Sequence, residues 1–172
     1  MRVQWKTLFK KVTLDSDTFP YGMRFYDGAM GSGKTLSMLN DTFELLKQYD
    51  NVFLASNVII NKPNINYYYF QTIPELIKLL EIGQTHKHAI IIIDEALSYF
   101  AENGGIDPAL MSSITQTRKS RMLIMLATQK FKRLNNRLRD FSLERYSIET
   151  FVNNSDIGQF RVKNLVICCL IF

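Results

Sequence analysis

The stretch GAMGSGKTLSML, residues 28–39, decides the fold of this chain. Gly28, Gly33, Lys34 and Thr35 have the spacing of a phosphate-binding P-loop, G-x-x-x-x-G-K-[ST]. In such a loop, successive backbone N–H groups surround phosphates at a helix N-terminus, where the helix dipole also favours anions. Lys34 is expected to bind the β and γ phosphates, and the Thr35 hydroxyl is expected to bind Mg²⁺. The residues predicted to bind the nucleotide are Gly28, Ala29, Met30, Gly31, Ser32, Gly33, Lys34 and Thr35.

The segments around this loop predict an α/β fold. MRFYDG before it has the pattern of a strand, and TLSMLNDTFELLKQY after it that of a helix, with Leu36, Leu39, Phe43 and Leu46 at helical spacing. Apolar strand patterns then alternate with helical ones, which predicts three layers around a mostly parallel sheet. RYSIETFV and QFRVKNLVICCLIF predict a C-terminal β-hairpin. The ligand of such a sheet lies at the carboxyl ends of its strands.

Length and composition indicate one globular domain. We expect residues 1–172 to form a single P-loop domain, with an N-terminal extension over 1–20, a core over 22–152 and a terminal strand over 153–172. No signal peptide pattern and no run of roughly 18 apolar residues is present in the sequence. The two cysteines, Cys168 and Cys169, are adjacent and indicate a reducing compartment. We therefore expect a cytoplasmic protein, in the host cytoplasm or associated with the virion if it is viral.

A second motif, IIIIDEA, ends an apolar strand with two acids. Asp94 is the expected carboxylate for Mg²⁺. Glu95 beside it is suited to activate a water that attacks the γ-phosphate. The alternative is that both acids simply begin the next helix, where acidic residues are favoured. The motif favours hydrolysis over transfer of the phosphoryl group to a second substrate.

A third feature is Gln129, which follows the apolar strand pattern LIMLAT. If this strand lies beside the Asp94 strand, the Gln129 amide reaches the γ-phosphate and orients the attacking water. The alternative is a polar residue that merely leaves the sheet. The predicted catalytic set is therefore Lys34, Glu95 and Gln129, with Arg118 added below.

Other functions of P-loop proteins fit less well. NKPN at 61–64 lacks the Asp of a guanine-binding motif and lies too early in the chain for a switch GTPase. A nucleoside or nucleotide kinase would need a basic lid, which the Arg-rich segment after Gln129 could supply, but Glu95 argues against it. A nucleotide-gated assembly or secretion factor without catalysis is a third hypothesis.

The net charge of +5 is concentrated in one segment. Nine Lys and Arg residues lie between Arg118 and Arg145, against only Asp140 and Glu144, so that the segment carries +7 and the remainder −2. Such a segment is either a solvated face or a track for a polyanion such as DNA.

Together these elements resemble the additional-strand, catalytic-glutamate branch of P-loop ATPases, and within it the FtsK/HerA translocase group. The resemblance lies in TRKSRMLIMLATQ and LNNRLRDFSLERYSI, and it assigns group-typical positions to Arg118, Gln129, Arg139 and Arg145. YDGAMGSGKT, VFLASNV and IIIIDEALSYF resemble the Zot-like ATPase domain of filamentous-phage assembly proteins. The genome-packaging ATPases of membrane-containing viruses are similar as well.

The resemblance implies an ATPase that uses ATP and Mg²⁺, acts on DNA and assembles as a ring, most simply a hexamer. It also implies a capsid or membrane assembly complex as a partner. Zot-like proteins continue into a membrane span and a periplasmic part, whereas this sequence ends at Phe172. The length therefore favours genome packaging, with phage extrusion as the alternative.

Arg118 precedes Gln129 by eleven positions, on the other side of a strand. The seven residues of predicted strand between Arg121 and Ala127 make that offset on the order of 20 Å, since a strand advances about 3.3 Å per residue. Arg118 is thus predicted to reach the ATP of a neighbouring subunit, as an arginine finger. Arg121, Arg139 and Arg145 are alternative fingers, and the alternative for Arg118 is that it merely binds DNA or faces solvent.

Overall fold

The computed structural model describes residues 18–100, 105–117, 119–152 and 157–164, with side chains as far as Glu149. The strands within these ranges are β1 Gly22–Asp27, β2 Phe53–Ser56, β3 Tyr68–Tyr69, β4 Ala89–Ile93, β5 Leu123–Thr128, β6 Ser142–Val152 and β7 Ile157–Asn164. The helices are α1 Lys34–Gln48, α2 Ile73–Gly83, α3 Leu97–Phe100, α4 Pro108–Thr117 and α5 Asn136–Asp140. A 3₁₀ turn, Phe131–Arg133, lies between β5 and α5.

The strands form one seven-stranded sheet in the order β3-β2-β4-β5-β1-β6-β7. The first six strands are parallel, and β7 pairs antiparallel with β6. β5 lies between the strand that leads into the P-loop and the strand that ends at Asp94. This is the additional strand predicted from the sequence, and β6 and β7 form the predicted hairpin as far as Asn164. The rest of its second strand, 165–172, lies outside the described residues, as do residues 1–17 of the predicted N-terminal extension.

Helices cover both faces of the sheet and produce three layers. The Ile residues of β4 alternate between the faces, because side chains along a strand point to opposite sides. Ile90 and Ile92 pack with α1 residues such as Met38. Ile91 and Ile93 pack with the apolar residues of α2 to α5. The run of four Ile residues is therefore a strand buried on both faces, as parallel sheets require.

The predicted helix after the P-loop is α1, and its spaced leucines do not all face the sheet. Leu36 is 62% exposed, whereas Met38 and Thr42 are fully buried. Leu39 and Phe43 are only partly buried at the edge of the same cluster. The helix begins at the P-loop, so its orientation on the sheet is set by the loop, and Leu36 is turned outward.

The sequence TIPELIKLLEI, 72–82, predicts a short helix, and α2 spans Ile73–Gly83. The Thr72 side chain accepts a hydrogen bond from the Glu75 N–H, and the Glu75 carboxylate accepts one from the Thr72 N–H, which together form a capping box. These bonds, with one from the Gln71 N–H, lower the pKa of the Glu75 carboxyl group.

No helix in the described part of the chain is long and apolar enough to cross a bilayer.

Candidate nucleotide-binding site

The P-loop connects the carboxyl end of β1 to the first residue of α1. Gly33 is the N-cap of α1 and has a φ of 85°, a conformation that glycine adopts at little cost. Lys34 follows as the first helical residue and is 8% exposed. Its Nζ donates a hydrogen bond to the Ala29 carbonyl oxygen at 2.8 Å. The ammonium group therefore lies within the loop, at the positive end of the 15-residue helix α1.

Gly28 is required by the close approach of β6. A Cβ atom at this position would lie 2.4 Å from the carbonyl oxygen of Ile148 and 2.7 Å from Ser32 Oγ. The first glycine of the motif thus allows the loop to pack directly against the part of β6 that extends beyond β1.

Thr35 and Asp94 meet at the carboxyl edge of the sheet. The Thr35 hydroxyl donates to Asp94 Oδ2 at 2.8 Å. A hydroxyl and a carboxylate oxygen are the hard ligands that Mg²⁺ prefers, and Mg²⁺ in such sites takes its remaining ligands from phosphates and water. These two side chains fit the metal predicted from the sequence. Bound there, Mg²⁺ would neutralise charge on the phosphate oxygens.

Asn57 holds the backbone at Asp94, and the sequence analysis did not identify it. Its Oδ1 accepts from the Asp94 N–H at 2.7 Å, and its Nδ2 donates to the Asp94 carbonyl at 2.8 Å. Asn57 follows β2, which is adjacent to β4 in the sheet. An amide residue directly after an apolar strand was the available signal, the same signal that identified Gln129.

Glu95 has a backbone conformation that is unusual for a residue with a side chain. Its φ is 52°, in the left-handed region. The Glu95 N–H donates to Asp94 Oδ1 at 2.9 Å. The next residue, Ala96, donates its N–H to the Ala127 carbonyl of β5 at 2.8 Å. Contacts on both sides of Glu95 thus fix its strained backbone and leave its side chain exposed at the edge of the sheet.

Gln129 lies beside Glu95. It follows β5, the strand adjacent to β4, and its Nε2 is 3.4 Å from Glu95 Oε1. The structure therefore brings together Lys34, Thr35, Asp94, Glu95 and Gln129 at one edge of the sheet. Their catalytic roles remain predictions.

The arginines have different positions. Arg118, the predicted finger, lies outside the described residues. Arg121 is exposed, just before the amino end of β5 and thus at the edge opposite the P-loop. Arg139 donates a hydrogen bond to Asn136 within α5. Arg145 forms an ion pair with Asp27 and lies over the ring of Phe131, 4.5 Å from its centroid.

The basic segment does not form a single track in the described part of the chain. Lys119 and Arg121 precede β5, whereas Lys130, Lys132 and Arg133 directly follow it, at the carboxyl side. Arg137 is exposed on α5, in the connection that returns to the amino end of β6. β5 is six residues long, so about 20 Å separates the two groups. Arg145 belongs to neither group because it is paired with Asp27.

A buried charged network lies beneath β1, on the α1 face. Arg24 Nε is 2.7 Å from Glu144 Oε2, and its NH1 is 3.7 Å from Asp41 Oδ2. The Tyr26 hydroxyl donates to the same Asp41 oxygen at 2.6 Å. Burial raises the pKa of Tyr26, and the Asp41 charge adds to this effect. Burial would lower the pKa of Arg24, but the surrounding acidic groups, Tyr26 and Glu144 foremost, raise it above its ordinary value.

Comparison with known proteins gives one family and a set of similar structures. The family model described as zonular occludens toxin (Zot) matches residues 22–160. No curated protein sequence matches the chain.

Three solved structures have similar folds, and the first two represent the two relatives that the sequence suggested. The genome packaging NTPase B204 from Sulfolobus turreted icosahedral virus 2, in complex with ATP-γS, has a TM-score of 0.64 at 16% identity, over 80% of this chain and 77% of that one. The N-terminal domain of zonular occludens toxin from Neisseria meningitidis has a TM-score of 0.58 at 20% identity, over 84% of both chains. The flagellar accessory protein FlaH from Methanocaldococcus jannaschii has a TM-score of 0.60 at 14% identity, over 86% of this chain and 80% of that one. At these identities the likeness shows a shared fold.

Proposed function

The chain belongs to the zonular occludens toxin (Zot) family, and we propose that it is an ATP-hydrolysing motor that moves DNA during virus assembly. The observation that carries this proposal is the position of Glu95. It lies next to Asp94, which Thr35 contacts, and beside Gln129 of the adjacent strand.

This arrangement supports hydrolysis. With the phosphates in the P-loop, Lys34 binds them from within the loop, and Thr35 and Asp94 hold Mg²⁺. Glu95, exposed at the same edge, accepts the proton of a water that attacks the γ-phosphate. Gln129 orients that water through its amide group. In this proposal Glu95 takes its proton from water. In a kinase the nucleophile would instead be a second substrate that receives the phosphoryl group.

Two forms of the DNA motor are supported equally. The similarity to a viral genome packaging NTPase supports genome packaging. The family match and the similarity to a zonular occludens toxin domain support a Zot-like ATPase that drives phage assembly and extrusion. In both forms the protein works in the host cytoplasm or on the virion, with a capsid or membrane assembly complex as partner.

DNA is proposed to bind the exposed basic residues at the carboxyl side of β5, among them Lys130, Lys132 and Arg133. This group lies on the same edge as the P-loop, so that nucleotide hydrolysis and DNA contact are adjacent. Exposed lysines and arginines bind phosphate backbones without regard to sequence, which suits a motor.

The experiment is the ATPase rate with and without DNA across a salt series. We expect DNA to stimulate hydrolysis, and the stimulation to fall with salt because counterions are released from the DNA on binding. The variant Lys132→Ala/Arg133→Ala should weaken the stimulation and leave the basal rate unchanged. A matched control, Lys78→Ala, removes a lysine that is exposed on α2. An ATPase rate that does not change when DNA is added contradicts the proposal. Transfer of phosphate to a small acceptor molecule contradicts it as well.

We further propose that the active form is a ring, most simply a hexamer, in which Arg118 reaches the ATP of the neighbouring subunit. The other arginines support this choice, because Arg139 and Arg145 contact residues of their own chain. Mixing Arg118→Ala with Lys34→Ala tests it, since one variant retains the P-loop and the other the finger. Restored hydrolysis in the mixture supports a finger acting between subunits. Normal hydrolysis by Arg118→Ala alone contradicts the assignment.

A further inference from the structure

We infer that the nucleoside part of the triphosphate binds in the cleft between the P-loop, the residues after β5 and the projecting part of β6, with the Glu149 carboxylate accepting a hydrogen bond from the nucleoside. This inference rests on the proposed function, because it concerns the same nucleotide. It assigns a role to the part of the site between the start of the P-loop and β6, which the phosphate-binding and catalytic roles of Lys34, Thr35, Asp94 and Glu95 leave unexplained.

The order of the strands gives the nucleotide its direction. Thr35, Asp94 and Glu95 surround the γ-phosphate end, and Asp94 and Glu95 follow β4. β6 lies on the other side of β1 from β5 and β4. A triphosphate that crosses the loop with its γ end towards β4 therefore carries its nucleoside towards β6.

A cavity of roughly 700 Å³ lies on that path. Its floor is the first part of the P-loop, Asp27 to Ser32, and it includes neither Lys34 nor Thr35. Gln129 and Lys130 form one wall, and the β6 residues 147–149 form the other. This volume lies within the range of about 300–1,000 Å³ that is usual for small-molecule sites.

β6 is able to form a wall because it extends beyond its partner strand. The pairing of β1 with β6 ends at Asp27 and Ser147, and the remaining residues of β6 continue past the edge of the sheet, paired with β7. The Ile148 carbonyl oxygen lies directly against Gly28, so close that a side chain at this position would collide with it. The cleft is thus built by the same packing that fixes the P-loop.

The side chains of the cleft suit a nucleoside. Met30 is 81% exposed on the loop, where its thioether offers a polarizable surface for an aromatic base. Glu149 is exposed on the wall and accepts hydrogen bonds only, which matches the hydroxyl groups of ribose and the exocyclic amino group of a base. Ser32 Oγ lines the cleft as well; the residue is 5% exposed, and the hydroxyl has no hydrogen-bond partner within the described structure. A buried hydroxyl of this kind is stabilised by a bound polar ligand.

Binding of ATP and of inorganic tripolyphosphate, each with Mg²⁺, to the full chain tests the inference by titration calorimetry. Two variants alter the cleft and leave Lys34 and Thr35 in place: Ser147→Trp fills it, and Glu149→Ala removes the acceptor. Glu81→Ala, which removes an exposed carboxylate of α2, is the matched control. We expect both cleft variants to lose about tenfold or more in ATP affinity, the scale of one lost charge-assisted hydrogen bond. Their affinity for tripolyphosphate should equal that of the wild type.

Two ATP analogues identify which group of the nucleoside donates the hydrogen bond to Glu149. Purine riboside triphosphate lacks the exocyclic amino group, and 2′,3′-dideoxy-ATP lacks the ribose hydroxyls. The analogue that lacks the bonded group should bind wild type and Glu149→Ala equally.

Three outcomes overturn the inference. The first is that both cleft variants bind ATP as tightly as Glu81→Ala does, in which case the proposed ATPase function still stands. The second is that both variants lose affinity for ATP and for tripolyphosphate to the same extent, which places the effect on the P-loop and not on a nucleoside site. The third is that wild type binds neither ligand, and this outcome also contradicts the proposed function.

Discussion

Asn57 and Asp94 are joined by two hydrogen bonds between the side-chain amide of Asn57 and the backbone of Asp94, at 2.7 and 2.8 Å. The pair connects the end of β2 to the end of β4. Asp94 in turn accepts hydrogen bonds from Thr35 and from the Glu95 N–H through its two carboxylate oxygens. Asn57 therefore positions both acids without facing the phosphates itself.

Replacing Asn57 with Ala should slow hydrolysis and spare nucleotide binding. Loss of both bonds frees the backbone at Asp94 and lets Glu95 depart from its geometry. We expect kcat to fall about tenfold or more, since about 1.4 kcal/mol corresponds to a factor of ten. The KM for ATP should change little because the P-loop is untouched. Steady-state kinetics measure both.

The matched control is Asn61→Ala, which makes the same substitution at an exposed loop position. Asn57→Asp is the conservative variant. It retains the acceptor for the Asp94 N–H, loses the donor to the Asp94 carbonyl and adds charge beside the metal ligands. Equal kcat values for Asn57→Ala and Asn61→Ala would show that Asn57 positions nothing.

Glu95→Gln should bind ATP and hydrolyse it slowly. The amide retains the size of the side chain but no longer accepts a proton, so we expect a loss of roughly 10² or more in kcat, the scale of a general base. Lys34→Ala should instead lose binding of the triphosphate. Calorimetry and phosphate release separate the two effects, with Glu81→Gln as the surface control. Wild-type hydrolysis by Glu95→Gln would remove Glu95 from the mechanism.

The sequence predicted those parts of the site that local patterns encode. The P-loop, the apolar strand before Asp94 and the strand before Gln129 each carry a signal within about ten residues. Parallel strands bring their carboxyl ends to one edge, so the approach of these residues followed from the fold class.

Contacts between distant segments were not predictable in the same way. The bond between Asn57 and Asp94 depends on β2 lying beside β4, and the pair of Arg145 with Asp27 depends on the register of β6 on β1. The left-handed backbone of Glu95 results from contacts on both sides of it. The helical spacing of Leu36, Leu39, Phe43 and Leu46 predicted α1 but not which of its faces meets the sheet, and Leu36 is exposed.

Gly28→Ala should destabilise the fold and abolish nucleotide binding. Its Cβ would lie 2.4 Å from the Ile148 carbonyl oxygen, so the loop or β6 must move. Overpacking of this kind costs about 1–3 kcal/mol. Thermal unfolding with and without ATP measures the effect. The control for ATP binding is Gly105→Ala, where no atom lies within 4 Å of the added Cβ. Its φ of 64° strains the backbone of the variant, so the two variants are compared by their stabilisation with ATP and not by their unfolding temperatures. Retained ATP stabilisation in Gly28→Ala would show that the loop tolerates displacement from β6.

Arg24→Met should cost far more stability than removal of an exposed ion pair. The change removes the guanidinium group that pairs with the carboxylates of Glu144 and Asp41, whose side chains are 18% and 13% exposed. Breaking a buried pair from one side costs about 3–5 kcal/mol. The control Lys47→Met breaks the exposed pair with Glu44 and should cost below about 1 kcal/mol. Denaturant unfolding compares them, and equal costs would contradict the burial argument.

Tyr26 should make the folded state less stable in alkali. Its pKa is raised by burial and by Asp41, whereas an unfolded tyrosine titrates near pH 10. Below pH 10 both states keep the proton, so the group adds no pH dependence. Above it the unfolded state loses the proton first, and the free energy of unfolding falls by about 1.4 kcal/mol per pH unit for this group.

Tyr26→Phe retains the stacked ring contact with Tyr146 and removes the titrating hydroxyl. Between pH 9 and about pH 11, the free energy of unfolding measured with urea should therefore fall less steeply for Tyr26→Phe than for wild type. The difference in slope corresponds to the release of up to one proton per molecule on unfolding. The variant is less stable at neutral pH because the bond to Asp41 is lost, so the slopes and not the absolute values are compared. Tyr21→Phe, at a side chain that is 45% exposed, serves as the control. If the slope for Tyr26→Phe matches those of wild type and Tyr21→Phe, the buried hydroxyl of Tyr26 ionises as readily in the folded chain as in the unfolded one.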